Sequence, residues 1–78
     1  MSTDRELTYG EKAVGLNFNP ANDPVVQSIK VKYAKIIDEI DYLRNQSEDG
    51  ETKRLCSIAI TETQAAQMWA VKAATWQT

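Results

Sequence analysis

From Val26 onward, apolar residues recur at alternating steps of three and four: Val26, Ile29, Tyr33, Ile36, Ile40 and Leu43. That spacing keeps one face of an α-helix apolar, with an a/d-like seam. Val25 and Ile37 widen the stripe on one side. Asp23-Pro24 reads as an N-cap and first helical residue, so the pattern predicts a helix over 24–45. A second periodic run places Leu55, Ile58, Ala66, Trp69, Ala73 and Trp76 on one face and predicts a helix over 48–76. Glu62 falls on that same face and must reach solvent or a partner, because burying it unpaired is costly. "RNQSEDGE" separates the two runs. Either Ser47 or Asp49 can cap the second helix, and acids at 48, 49 and 51 suit the positive end of a helix. A joint this short makes the two long helices antiparallel neighbours.

Upstream, Thr8-Tyr9-Gly10-Glu11 fits the capping-box pattern. It predicts a short helix within 8–15, from about Tyr9 to Val14, with Gly15 as the left-handed residue after its end. Thr3-Asp4-Arg5-Glu6 offers the same signal earlier, which leaves the start open. "GLNFNPANDP" holds two prolines and three asparagines in ten residues. That is loop chemistry, and it defines a loop over 16–23. Residues 1–7 have no assigned element and are a candidate disordered tail. The expected fold is all-α: one domain over 1–78, a short N-terminal helix followed by a long antiparallel helical hairpin.

Size changes this picture. A chain of 78 residues buries only about 60% of its unfolded surface, and such domains usually need a staple. Cys56 is the single cysteine and there is no histidine, so an internal disulfide and the usual zinc ligand sets are out of reach. Cys56 reads as a small packed side chain. The last helix points to the remaining staple, self-association. Met68, Val71 and Thr75 flank the Trp69–Trp76 stripe, and Ala59, Ala65, Ala70 and Ala74 add small side chains on further sides. A helix apolar around most of its circumference is buried around most of it. One hairpin cannot supply that cover, so Met68, Trp69 and Trp76 are assigned to a homo-oligomer interface.

Net charge is −2, which argues against a duplex nucleic-acid binder. The balance is uneven. Residues 1–35 carry Arg5, Lys12, Lys30, Lys32 and Lys35 against Asp4, Glu6, Glu11 and Asp23, five minus four or +1. No stretch approaches the roughly 20 apolar residues of a membrane span, and no signal-peptide pattern opens the chain, so no membrane partner is expected and the expectation is a cytoplasmic protein. Catalytic constellations are missing too. Without histidine neither a Ser-His-Asp nor a Cys-His arrangement can be drawn. Asp38, Glu39 and Asp41 read as a solvated face, and the three glycines are punctuation, not a phosphate loop. The expectation is a non-enzyme with no cofactor and no metal.

One constellation looks like a site. Phe18 and Asn19 sit in a loop feeding a helix N-terminus, where exposed N–H groups and the dipole favour an anion. Lys30 lies about two turns into that helix, on the border of the seam, where its stem can follow apolar surface while its ammonium reaches a phosphate. A loop aromatic can stack on a base. The bland alternative has Phe18 plugging the hairpin's end and the lysines solvating a polar face.

Four segments, "GEKAVGLNFNP" (10–20), "IKVKYAKIIDEI" (29–40), "ETKRLCSIAIT" (51–61) and "AAQMWAVKAAT" (65–75), resemble the anti-CBASS hairpin family of small phage proteins. The likeness spans roughly residues 8–76. It implies a cyclic-oligonucleotide sponge acting in the bacterial host cytoplasm, with the hairpin assembled as an interlocked homohexamer. Its implied ligands are cyclic dinucleotides such as cyclic GMP-AMP, with cyclic trinucleotides as a further candidate. The family's loop commonly reads Tyr-His-Pro, its tyrosine stacking on bases; here Phe18-Asn19-Pro20 keeps the stacking face without hydroxyl or imidazole. A basic residue following isoleucine meets the phosphates in the family, and Ile29-Lys30 matches it. The loop between aromatic and lysine is shorter here, which makes Tyr9 an alternative stacking residue. Where many members read Trp-Ala-Asn-Ala, this chain has Trp69-Ala70-Val71-Lys72-Ala73. Two other classes stay open: a helical oligomeric scaffold or adaptor without a nucleotide, which the acidic second half suits, and a small nucleic-acid-binding regulator.

Overall fold

Local capping chemistry sets where the helices begin. In the computed structural model, which describes residues 5–76, three helices and no strand occur among the described residues. Helix α1 (Tyr9–Val14) opens on a complete capping box: the Glu11 amide donates to Thr8 Oγ1 at 3.1 Å, and the Thr8 amide donates to Glu11 Oε1 at 2.9 Å. Gly15 closes it at φ 65°, in the left-handed region that disfavours other residues. The earlier capping signal at Thr3-Asp4, and most of the tail assigned to residues 1–7, lie outside the described residues. Within them, Arg5 pairs with Glu11 at 2.8 Å and Leu7 packs on the core.

Helix α2 (Pro24–Gln46) starts on Asp23, whose carboxylate accepts from the Val25 amide at 2.8 Å. Helix α3 (Gly50–Ala74) is capped by Asp49, whose carboxylate takes both the amide and the hydroxyl of Thr52 at 2.9 Å. Ser47 is spent on the joint instead, accepting from the Asp49 amide at 3.0 Å. The long helices have 23 and 25 residues, hence lengths of about 35–38 Å.

The short helix decides how the hairpin closes. Helix α1 lies against α2 and reaches α3, with the Gly10 amide donating to Asp38 Oδ1 at 2.7 Å and Gln64 Nε2 donating to the Ala13 carbonyl at 3.4 Å. Val14, Leu16, Ala34, Ile37 and Ile60 form the buried cluster, flanked by Leu7, Ala13, Val31, Tyr33 and Ile40. Close approach explains two small residues. A Cβ on Gly10 would run into the Ala34 carbonyl, so α1 can sit this near α2 only with glycine at that position. Cys56 is buried.

Both long helices turn a different face inward from the one their apolar seams indicate. On α2 the buried residues are Val26, Lys30, Ala34 and Ile37, while Ile36 and Leu43 of the expected seam stand exposed and Ile29, Tyr33 and Ile40 are half-buried. That is a rotation of about one residue, or 100°. Ala34 faces in because α1 needs the space, and Ile37, treated as a flank of the stripe, becomes fully buried at 0% exposure. On α3 the buried residues are Cys56, Ile60 and Gln67, and Leu55, Ile58, Trp69 and Trp76 face outward. Glu62 is exposed with them and meets solvent there. Helices α2 and α3 thus meet through Ile37 and Ile60 together with small and polar side chains, while Ile36, Leu43, Leu55, Ile58 and Trp69 are left outside. The Cα trace measures 45 × 36 × 12 Å along its principal axes. The three helices thus form a flattened layer with two broad faces.

Candidate functional site

The loop after α1 is built by its asparagines. The Phe18 amide donates to the Gly15 carbonyl at 2.9 Å, and the Asn22 amide to the Asn19 carbonyl at 2.8 Å. Asn22 adopts φ 53°, which asparagine tolerates. Asn19 staples the next turn through its side chain: Oδ1 accepts from the Asp23 amide at 3.1 Å, and Nδ2 donates to the Asp23 carbonyl at 2.9 Å and to Gln27 Oε1 at 3.3 Å. Its amide is therefore occupied within the chain. Asn19 positions the loop and the start of α2.

Lys30 is the other fixed point. It is 5% exposed, not a border residue. Its Nζ donates to the Gly15 carbonyl at 2.9 Å and the Phe18 carbonyl at 2.5 Å, and lies 5.5 Å from the Phe18 ring centroid. Sequence reasoning left the ammonium free to reach outward. The structure turns it inward because the Gly15 carbonyl, which already accepts from the Phe18 amide, and the Phe18 carbonyl converge on its ammonium. An ammonium has three N–H donors, so one remains beyond these two bonds.

Phe18 does not plug the hairpin's end. Its ring is 73% exposed, held out by the loop that Asn19 and Lys30 secure. Beside it lies a cleft of about 220 Å³ walled by Phe18, Asn19, Pro20, Val26, Lys30 and Val71 among others. Phe18, Asn19 and Lys30 are therefore brought together. Tyr9 is not. Its ring sits 5.5 Å from the Arg44 guanidinium carbon, and Arg44 is fourteen residues, or about 21 Å, along α2 from Lys30. Arg44 also donates to Asp41 at 2.7 Å and Ser57 at 3.0 Å. Asp41, and then Tyr9, hold its guanidinium protonation above the ordinary arginine value.

Met68, Trp69 and Trp76 are all exposed on α3 or just past it, with Lys72 Nζ 5.7 Å from the Trp76 ring. A larger groove, about 530 Å³, runs along the outward face of α2 between Ile36, Ile40, Tyr42 and Leu43. Its lining includes Glu39 and no cation, so it suits an apolar surface better than an anion. Sequence reasoning missed Gln67 as a buried polar residue. The signal is a glutamine at the inward position of α3, visible only once that face is known.

The fold and cleft together define a class: a small helical-hairpin module with an exposed aromatic face and a lysine at the hairpin's open end, chemistry that fits a planar, anionic ligand. The chain belongs to the Acb2/Tad1 hairpin-domain family, whose model matches residues 11–75. This is a family of anti-CBASS and anti-Pycsar cyclic-nucleotide sponge proteins, which makes the chain a cyclic-nucleotide-binding anti-defence protein. No curated protein and no solved structure matches the chain. Among the described residues, no helix is long and apolar enough to cross a membrane.

Proposed function

We propose that the protein sequesters cyclic dinucleotides, such as cyclic GMP-AMP, in the host bacterial cytoplasm without degrading them, and so silences CBASS signalling. The observation that carries this reading is the exposed Phe18 ring beside Lys30 over a shared cleft. The ring offers a base a stacking face, worth about 1–3 kcal/mol where measured. The third N–H of Lys30 favours a phosphate, whereas the first amides of α2 are already taken by the Asp23 cap. The chain has no histidine to serve as a general base. Inhibition then works by mass action, each occupied site removing one messenger molecule from the free pool.

The acting form in this reading is a homo-oligomer, a hexamer by family analogy, whose subunits complete the sites. Its support is the outward stripe of Leu55, Ile58, Trp69 and Trp76 on α3, with Ile36, Tyr42 and Leu43 outward on α2. Large apolar side chains left outward in this number mark an interaction face. The same stripe would also serve a scaffold with no nucleotide.

Thermal stability measured across a panel of cyclic nucleotides tests the proposal. A ligand at about a hundred times its dissociation constant should add about 2.7 kcal/mol to the folded state. The nucleotide should be recovered chemically intact after heat denaturation, and Phe18→Ala should weaken binding without changing the assembly's mass. No stabilisation by any cyclic dinucleotide, or recovery of a cleaved one, would overturn it.

A further inference from the structure

Besides Lys30, Gln67 is buried among polar side chains, at 5% exposure on the inward stripe of α3. It lines a second cleft, of about 380 Å³, together with Lys12, Val14, Lys30, Met68 and Val71 among others. Lys30 and Val71 line the Phe18 cleft as well. The two clefts thus share the Lys30 side chain.

Buried carboxamides are normally hydrogen-bonded, because leaving one without a partner costs about 1–3 kcal/mol. Gln64, one turn earlier, follows that rule through the Ala13 carbonyl. Gln67 has no side-chain hydrogen bond among the described residues, yet none of its polar atoms is sealed from solvent. Its amide head therefore keeps a narrow opening to solvent, in a residue that lines the cleft. No carboxylate borders that cleft, and two lysines do. The site is cationic in a chain of net charge −2. Val14, Met68 and Val71 add apolar walls, and methionine adapts readily to a flat surface.

A carboxamide presents one donor and one acceptor side by side. That pattern complements the N6-amino group and N7 of adenine, whereas the corresponding edge of guanine offers two acceptors and leaves the glutamine carbonyl facing an oxygen. We propose that Gln67 determines base specificity: its carboxamide pairs with the N6/N7 edge of an adenine in this cleft, while the neighbouring phosphodiester lies against Lys30 and Lys12. This rests on the cyclic-dinucleotide reading and adds to it which base the site selects.

Titrating cyclic di-AMP and cyclic di-GMP into wild type, Gln67→Leu and Gln67→Met tests the assignment. Both replacements fill about the same volume without hydrogen bonding. Cyclic di-AMP affinity should fall at least about tenfold, or about 1.4 kcal/mol, with cyclic di-GMP affinity and the thermal midpoint nearly unchanged. Equal losses for both ligands, or no loss for either, would overturn the assignment while leaving sequestration standing. A changed assembly mass with unchanged ligand ranking would mean that Gln67 pairs with another copy of the chain, and would overturn it too. Failure of both variants to fold would make Gln67 a packing residue and would likewise overturn the assignment. Wild type that binds neither of these nor cyclic GMP-AMP would bring down the cyclic-dinucleotide reading itself.

Discussion

Replacing Lys30 with alanine should destabilise the free protein, because its ammonium works inside the chain before any ligand arrives. Two charge-assisted hydrogen bonds vanish, to Gly15 and Phe18, each of a kind worth about 1.5–3 kcal/mol. The buried ammonium's own desolvation is relieved at the same time, so the two do not simply add. A net loss of about 2–4 kcal/mol is expected, including the void left by the stem in a residue 5% exposed. Lys30→Met keeps the stem and isolates the ammonium, and should cost about 1–3 kcal/mol. Chemical denaturation at one fixed subunit concentration is the assay, because self-association would make the midpoint concentration-dependent. Limited proteolysis adds a local readout, since the loop over 16–23 should be cut faster in both variants. If Lys30→Ala stays within about 0.5 kcal/mol of wild type, the size of an ordinary surface change, the ammonium does not hold the loop and the reasoning fails.

Three further outcomes are expected. Gly10→Ala should cost about 1–3 kcal/mol in denaturation experiments, the usual size of overpacking, because its methyl group meets the Ala34 carbonyl where α1 approaches α2. Trp69→Ala should leave the single-chain core intact, since the indole is 69% exposed there, and lower the mass seen by sedimentation; a wild-type chain that sediments as an 8.8 kDa monomer at micromolar concentration refutes the interface assignment. Acid should destabilise the fold: Arg5 and then the Thr8 amide hold the Glu11 carboxyl below its ordinary 4.5, and Thr52 does the same for Asp49 from 3.8. Carboxyls lowered in the folded state contribute stability that is full above their unfolded values and is lost as pH falls through the folded ones. Denaturation midpoints should therefore hold steady down to about pH 5 and drop below about pH 4, and a midpoint unchanged at pH 3 would contradict the two caps.

The sequence by itself determined what depends on neighbours a few residues apart. The three helices are legible in the sequence, and the first two starts in Thr8-x-x-Glu11 and Asp23-Pro24, because capping is satisfied within one turn. The third start lies open between Ser47 and Asp49, and the structure decides for Asp49. The loop aromatic beside a lysine was legible too, from the turn residues around Phe18. The tertiary structure alone decided which way each helix faces. A 3.6-residue period reveals an apolar stripe but not what covers it, and here α1 and its loop occupy the space against Ala34 and Lys30. That turns the largest apolar residues of α3 outward and Gln67 inward. Lys30 could be read either way, since its stem suits burial and its head suits solvent. Only two carbonyls twelve and fifteen residues upstream, brought back by the fold, settle that its head points in.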